Sequence, residues 1–99
     1  MSFYLIIKPE AEQDLLDSSQ WYEEQKEGLG LRFINSVEDK LMSIRKTPLH
    51  YQIKYKATRL ALVRSFPYAI HFTVEGKTIY VLAILSTSRN PRIWESRSK

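Results

Sequence analysis

The chain of 99 residues contains no cysteine, so it offers no thiolate nucleophile, no disulfide framework and no cysteine-ligated metal. The chain has two histidines, His50 and His71, and fifteen Lys and Arg supply positive charge. The charges are segregated. Residues 1–46 hold six Lys/Arg and nine Asp/Glu, a balance of −3, whereas residues 47–99 hold nine Lys/Arg against only Glu75 and Glu95, a balance of +7. A basic half of this kind suits a surface that meets an anion: a nucleic acid, an acidic protein segment, or less readily a membrane. Within it, Lys54, Lys56, Arg64, His71 and Arg89 have the types that hold a phosphate or move a proton. Lys54 and Lys56 stand two apart on an expected strand, which puts them on one face. His71 lies between Ile70 and Phe72 and shares a face with Ala69, Thr73 and Glu75; His50, beside Pro48, reads as a loop residue. No pair of histidines or carboxylates has metal-ligand spacing, so no metal and no cofactor is expected. Gly28 and Gly30 follow no strand and read as a turn, not as a phosphate-cradling loop.

The elements that must position these residues follow from hydrophobic period. Residues 2–8 are rich in aromatic and β-branched types and stop at Pro9, the pattern of a strand. Pro9 also suits the first turn of a helix, with Glu10 and Glu12 near its positive end. In that helix, which runs to about Gln25, Ala11, Leu15, Ser18 and Tyr22 lie on one stripe, broadened by Leu16 and Trp21. Gly28 is expected to cap its C-terminus. A second helix over 29–46 carries Phe33, Ile34, Val37, Leu41 and Ile44 at three- and four-residue intervals, has Arg45 and Lys46 in its last turn, and stops before Pro48. So short a break makes the two helices a hairpin.

Beyond Pro48 the period becomes two. Residues 51–55 and 59–64 read as one long or bent strand, broken near Ala57 and Thr58. Tyr68, Ile70, Phe72 and Val74 alternate with Ala69, His71, Thr73 and Glu75, and Glu75-Gly76-Lys77 reads as a hairpin turn. Residues 78–85 are apolar on both faces, as in a central strand, with Ile79, Val81, Ala83 and Leu85 on one side and Tyr80, Leu82 and Ile84 on the other. The expected fold is therefore α+β: an N-terminal strand, a helical hairpin, then a three-stranded antiparallel meander forming one sheet, in a single domain over 1–99. The N-terminus lacks a basic leader and cleavage site, and no run approaches the roughly 18 apolar residues of a membrane span, so a cytoplasmic protein is expected.

Three stretches carry a family resemblance. Trp21-Tyr22-Glu23-Glu24-Gln25, with Gly28-Leu29-Gly30 and Phe33, is similar to the helical hairpin of the RelE/ParE toxins of type II toxin–antitoxin systems. Phe66-Pro67-Tyr68-Ala69-Ile70-His71-Phe72 resembles their middle strand. Residues 83–94, ending Ser86-Thr87-Ser88-Arg89-Asn90-Pro91-Arg92-Ile93-Trp94, are similar to the family pattern A-V-L-H-x-x-R-x-P-x-x-W, with Ser86 where His is usual. The order and spacing match over nearly the whole chain.

The resemblance implies a growth-inhibiting toxin, and it leaves two activities open. RelE-like members resemble ribosome-dependent endoribonucleases, which need a proton acceptor, a donor and cations around the phosphate. Here those roles would fall to Arg64, His71 and Arg89. ParE-like members are taken as gyrase poisons and need no hydrolytic site. Ala69 stands where the nucleolytic members carry Arg, and Trp94 stands near a C-terminal Tyr; neither alanine nor indole supplies the missing acid–base chemistry. The ParE-like reading is preferred. Its alternatives are the RelE-like nuclease, binding the ribosome and mRNA, and a degenerate toxin that keeps only antitoxin binding. The resemblance also implies a cognate antitoxin, with operator DNA reached only through it. Lys54, Lys56, Arg59, Arg64, Arg89, Arg92, Trp94 and Arg97 are the expected target or antitoxin contacts, and Arg59, Arg64 and the C-terminal tail are where the antitoxin is expected to bind.

Overall fold

A computed structural model describes residues 3–88. The elements are β1 (Tyr4–Ile7), α1 (Pro9–Gln25), α2 (Leu29–Lys46), a 3-10 turn (Pro48–His50), β2 (Ile53–Tyr55), β3 (Thr58–Leu62), β4 (Tyr68–Glu75) and β5 (Thr78–Ser86). They form one five-stranded sheet in the order β1-β5-β4-β3-β2. The α+β class, the N-terminal strand and the helical hairpin agree with the sequence, but the meander has four antiparallel strands, with β1 parallel to β5 at the edge. The extra strand arises at Lys56-Ala57, where the chain reverses and Tyr55 pairs with Thr58. Lys56 takes a left-handed backbone, φ 49°, which lysine seldom adopts, so its residue type gives no turn signal.

Helix α1 starts on Pro9, whose missing N–H costs nothing in a first turn, and carries Glu10 and Glu12 at its positive end. Helix α2 buries Gly30, Phe33, Val37, Leu41 and Ile44, one stripe at helical spacing. Gly28 is left-handed at φ 86°, but as the residue before α2 and not as the cap of α1, which is Lys26. Glycine offers no side chain to cap α2, and Glu23 of α1 supplies the acceptor instead. Its carboxylate accepts the N–H of Gly28 at 3.0 Å and that of Gly30 at 3.0 Å. Gly30 also has to be small: a Cβ there would lie 2.6 Å from the Ser19 carbonyl oxygen.

Both helices lie on one face of the sheet. Phe33, Val37, Leu41 and Ile44 from α2 and Ala11 from α1 pack with Ala61, Val63, Ile70, Phe72, Ile79, Val81 and Ile84. Tyr22, Phe33, Phe66 and Tyr68 add an aromatic cluster with ring centroids 4.9–6.0 Å apart, which ties the β3–β4 turn to the hairpin. Leu16 and Trp21 do not broaden the buried stripe, since each is 54% exposed.

Strand β5 departs from simple alternation. His71 pairs with Ala83 and Phe72 with Val81, so Leu82 is an extra residue in a bulge. The side-chain order flips there: Ile79, Val81 and Ile84 face the helices, whereas Tyr80, Ala83 and Leu85 face away. Strand β1 covers β5 only as far as Val81. Beyond it α1 takes over, and Asp14 Oδ2 accepts the N–H of Ile84 at 3.0 Å. A carboxylate thus satisfies a strand edge that has no strand beside it.

Candidate functional site

Among the described residues, the basic candidates Lys54, Lys56, Arg59 and Arg64 lie on or beside β2 and β3. Lys54 is exposed on β2 and Lys56 is exposed in the β2–β3 turn, so they do not share a strand face by alternation. Arg64 is exposed in the turn after β3, beside Ser65 at φ 71°. The five residues of β3, about 13 Å of extended chain, separate Lys56 from Arg64. Arg59 is half-buried and engaged: its Nη1 donates to the Tyr51 carbonyl at 2.6 Å and to that of Leu49 at 3.5 Å. It fastens the segment leading into β2 to β3. Arg89, Arg92, Trp94 and Arg97 lie outside the described residues.

His71 sits on the sheet face away from the helices, fully buried, opposite Leu60 on β3 and Ala83 on β5. Its Nδ1 is hydrogen-bonded to the Tyr55 hydroxyl at 2.8 Å. The bond reaches from β4 across β3 to the short β2. Thr58, opposite Tyr55, is fully buried too, and its hydroxyl has no hydrogen-bond partner among the described residues. Ala69 is buried opposite Leu85. Ser86 is half-buried at the end of β5, with its hydroxyl 2.9 Å from that of Ser88. His50 is exposed in the 3-10 turn. The register places Arg64 beyond the far end of β3 from the His71 row. A general base must come within about 3 Å of its proton, so these two candidates are not one constellation.

Sequence reading missed three engaged groups: Tyr55 as the partner of His71, Asp14 on Ile84, and Glu23 on Gly28 and Gly30. All three bridge elements whose relative placement no local pattern encodes. An available signal was the sign of the charges on α1, where all six charged residues are acidic.

Two hollows flank the hairpin. One, of about 650 Å³, lies between β1 and α2, lined by Tyr4, Leu5, Ile6, Leu41, Met42 and Arg45. Tyr4 and Met42 are 71% and 62% exposed there. The other, of about 450 Å³, lies between α1 and the β3–β4 turn and includes Asp17, Trp21, Tyr22, Tyr68 and Ser86. Burial pushes the Tyr22 phenol above its ordinary value of 10.0, and the neighbouring Tyr68 phenol adds to the shift. Among the described residues no three His, Cys, Asp or Glu gather to hold a metal, and no helix is long and apolar enough to cross a membrane.

Comparison with known proteins adds three findings. No curated protein matches the chain. Among solved structures, the chromosomal ParDE toxin–antitoxin system from P. aeruginosa superposes with a TM-score of 0.77 at 17% identity, over 86% of this chain and 96% of that one. A double-arginine mutant of E. coli toxin RelE in the free state superposes with a TM-score of 0.68 at 13% identity, over 98% of this chain and 95% of that one. At these identities the likeness is one of fold. The family model described as the ParE toxin of the type II toxin–antitoxin system, parDE, matches residues 5–91, most of the chain, and on that match this protein belongs to the ParE toxin family.

Proposed function

We propose that this protein is a toxin that arrests growth through a ParE-like, non-hydrolytic action on DNA gyrase. The observation that carries the reading is the state of the nuclease candidates. His71 is buried in an apolar row with its Nδ1 engaged by Tyr55, Ala69 offers no cation, and Arg64 stands beyond the strand end. A 2′-OH attack on RNA needs these groups converged on one phosphate. Poisoning by binding needs only a surface, and exposed Lys54, Lys56 and Arg64 give a basic one.

A cognate antitoxin neutralises the toxin in this reading, works with it in the cytoplasm, and alone carries the complex to operator DNA. The apolar hollow between β1 and α2 supports a docked amphipathic segment, and the basic sheet end supports an acidic one. The test is brief induction in cells, with mapping of both mRNA 5′ ends and gyrase-linked DNA breaks. DNA breaks with intact mRNA are expected. Codon-phased mRNA cuts without DNA breaks would overturn the gyrase target, and no growth arrest with antitoxin binding intact would reduce the chain to an antitoxin-binding remnant.

A further inference from the structure

Helix α1 is acidic in a basic protein. Its charged residues are Glu10, Glu12, Asp14, Asp17, Glu23 and Glu24, with no cation among them, although the chain carries a net +4. Glu23 and Asp14 hold the fold together by accepting backbone N–H groups. Asp17 is different. It is exposed, its Oδ1 accepts only from Gln13 Nε2 at 2.8 Å one turn earlier, and no element of the described fold supplies it a cation.

Asp17 opens on the hollow of about 450 Å³ between α1 and the β3–β4 turn. Trp21 and Tyr22 wall it from α1, Pro67 and Tyr68 wall it from the sheet end, and Ser18 and Ser86 complete it. Two of its aromatic walls are preset. Tyr22 is held against Phe33 at 5.1 Å and Phe66 at 4.9 Å, and Tyr68 against Phe33 at 4.9 Å. Trp21 meets Tyr22 edge to face at 5.1 Å, yet more than half of it stays in solvent. The indole is therefore open to a ligand beside a carboxylate whose one hydrogen bond comes from Gln13.

The chemistry of the visitor follows from the lining. A carboxylate and aromatic faces both attract a cation. An anion would face Asp17 unfavourably, and a neutral apolar group would leave it unused. A planar guanidinium meets both demands at once: it stacks on an indole and donates a fork of N–H groups to a carboxylate. Gln13, Asp17, Trp21 and Glu24 follow one another at helical spacing, so a second acid lies one turn beyond the indole. We propose that this hollow is a receptor for an arginine side chain presented by a basic segment of a partner polypeptide. The proposal is independent of the gyrase reading, because its recognition rests on Asp17 and Trp21 of α1 and not on Lys54, Lys56 or Arg64.

The test uses the full chain labelled with 15N and three probes: acetyl-arginine amide, acetyl-lysine amide and the neutral isostere acetyl-citrulline amide. Arginine is expected to shift the Trp21 indole N–H and the Ser18 and Ser86 amides saturably at millimolar concentration, lysine less so, and citrulline not at all. Asp17→Asn keeps the shape and removes the charge, so it should weaken binding by at least about threefold, and Trp21→Leu should do the same. Dispersed spectra of both variants show whether they fold. Equal shifts with citrulline, no shift with arginine either in the parent or after Arg89, Arg92 and Arg97 are changed to Gln, or unchanged affinity in folded Asp17→Asn would overturn the site. If the probe binds only after Arg89, Arg92 and Arg97 are changed to Gln, the occupant is the chain's own and the partner assignment falls. The partner assignment also falls if sedimentation shows self-association that Asp17→Asn abolishes, because the arginine then comes from a second copy.

Discussion

The carboxylate of Glu23, near the end of one helix, accepts the backbone N–H of Gly30 in the first turn of the next, at 3.0 Å. The same carboxylate takes the N–H of Gly28, so one side chain caps a helix whose own N-cap residue has no side chain. The hairpin's crossing depends on that contact and on the smallness of Gly30. Glu23→Ala is expected to cost about 1–2 kcal/mol, the usual loss for a cap. Gly30→Ala drives a Cβ toward the Ser19 carbonyl, a backbone atom that cannot swing away, and should cost about 1–3 kcal/mol, as overpacking does. Urea unfolding followed by circular dichroism measures both. A Gly30→Ala protein as stable as the parent would show that the helices separate freely.

The opposite face of the sheet offers a pair of substitutions with opposite signs. Tyr55→Phe removes the hydroxyl bonded to His71 Nδ1 and is expected to destabilise by about 1–2 kcal/mol, with faster amide exchange in β2. Thr58→Val replaces a buried hydroxyl that has no hydrogen-bond partner among the described residues by a methyl of the same shape, and should stabilise by about 1 kcal/mol. Urea midpoints decide the signs. A destabilised Thr58→Val would mean that the hydroxyl has an acceptor after all.

Where sequence and structure agree, the reason is local. Proline at 9 and 48 brackets two helices, and the spacing of Phe33, Val37, Leu41 and Ile44 identifies the buried stripe of the second. Where they part, the cause is a backbone event that residue type does not announce. Lys56 in the left-handed region makes a turn without glycine, which turns one expected strand into β2 and β3. The bulge at Leu82 exchanges the faces of Ile84 and Leu85 relative to strict alternation. The candidate site was legible as charge but not as geometry. Arg59 and Arg64 look equivalent in the sequence, yet one is tied to backbone carbonyls and the other is exposed in a turn. Trp21 reads as core in the sequence, because a helical stripe read from period alone counts every apolar residue as buried.

That difference between the two arginines separates stability from recognition. Arg59→Glu removes the donor to the Tyr51 and Leu49 carbonyls, so it should lower stability by about 1–2 kcal/mol as well as weaken an acidic antitoxin. Arg64→Glu should leave the unfolding midpoint within about 0.5 kcal/mol of the parent and weaken the antitoxin alone. Calorimetric titration with the purified antitoxin, beside urea unfolding, reads both. Unchanged antitoxin affinity in both variants would place that interface elsewhere.

Alkaline pH tests the aromatic cluster of Tyr22, Phe33, Phe66 and Tyr68. The Tyr22 phenol titrates above its ordinary value of 10.0 in the folded chain, because burial and then the neighbouring Tyr68 phenol disfavour the phenolate. A raised folded value means that the folded state holds its proton more tightly than the unfolded chain does. The stability from this linkage is fully present below the unfolded value, near pH 10, and is lost as pH rises through the folded one. The parent should therefore lose stability above about pH 10, and Tyr22→Phe, which has no proton to lose, should lose less. Urea midpoints from pH 8 to 11, with phenolate absorbance recorded in parallel, make the comparison. Parallel curves for the two proteins would show that Tyr22 ionises as readily folded as unfolded, and that the ring is not held as its contacts with Phe33 and Phe66 imply.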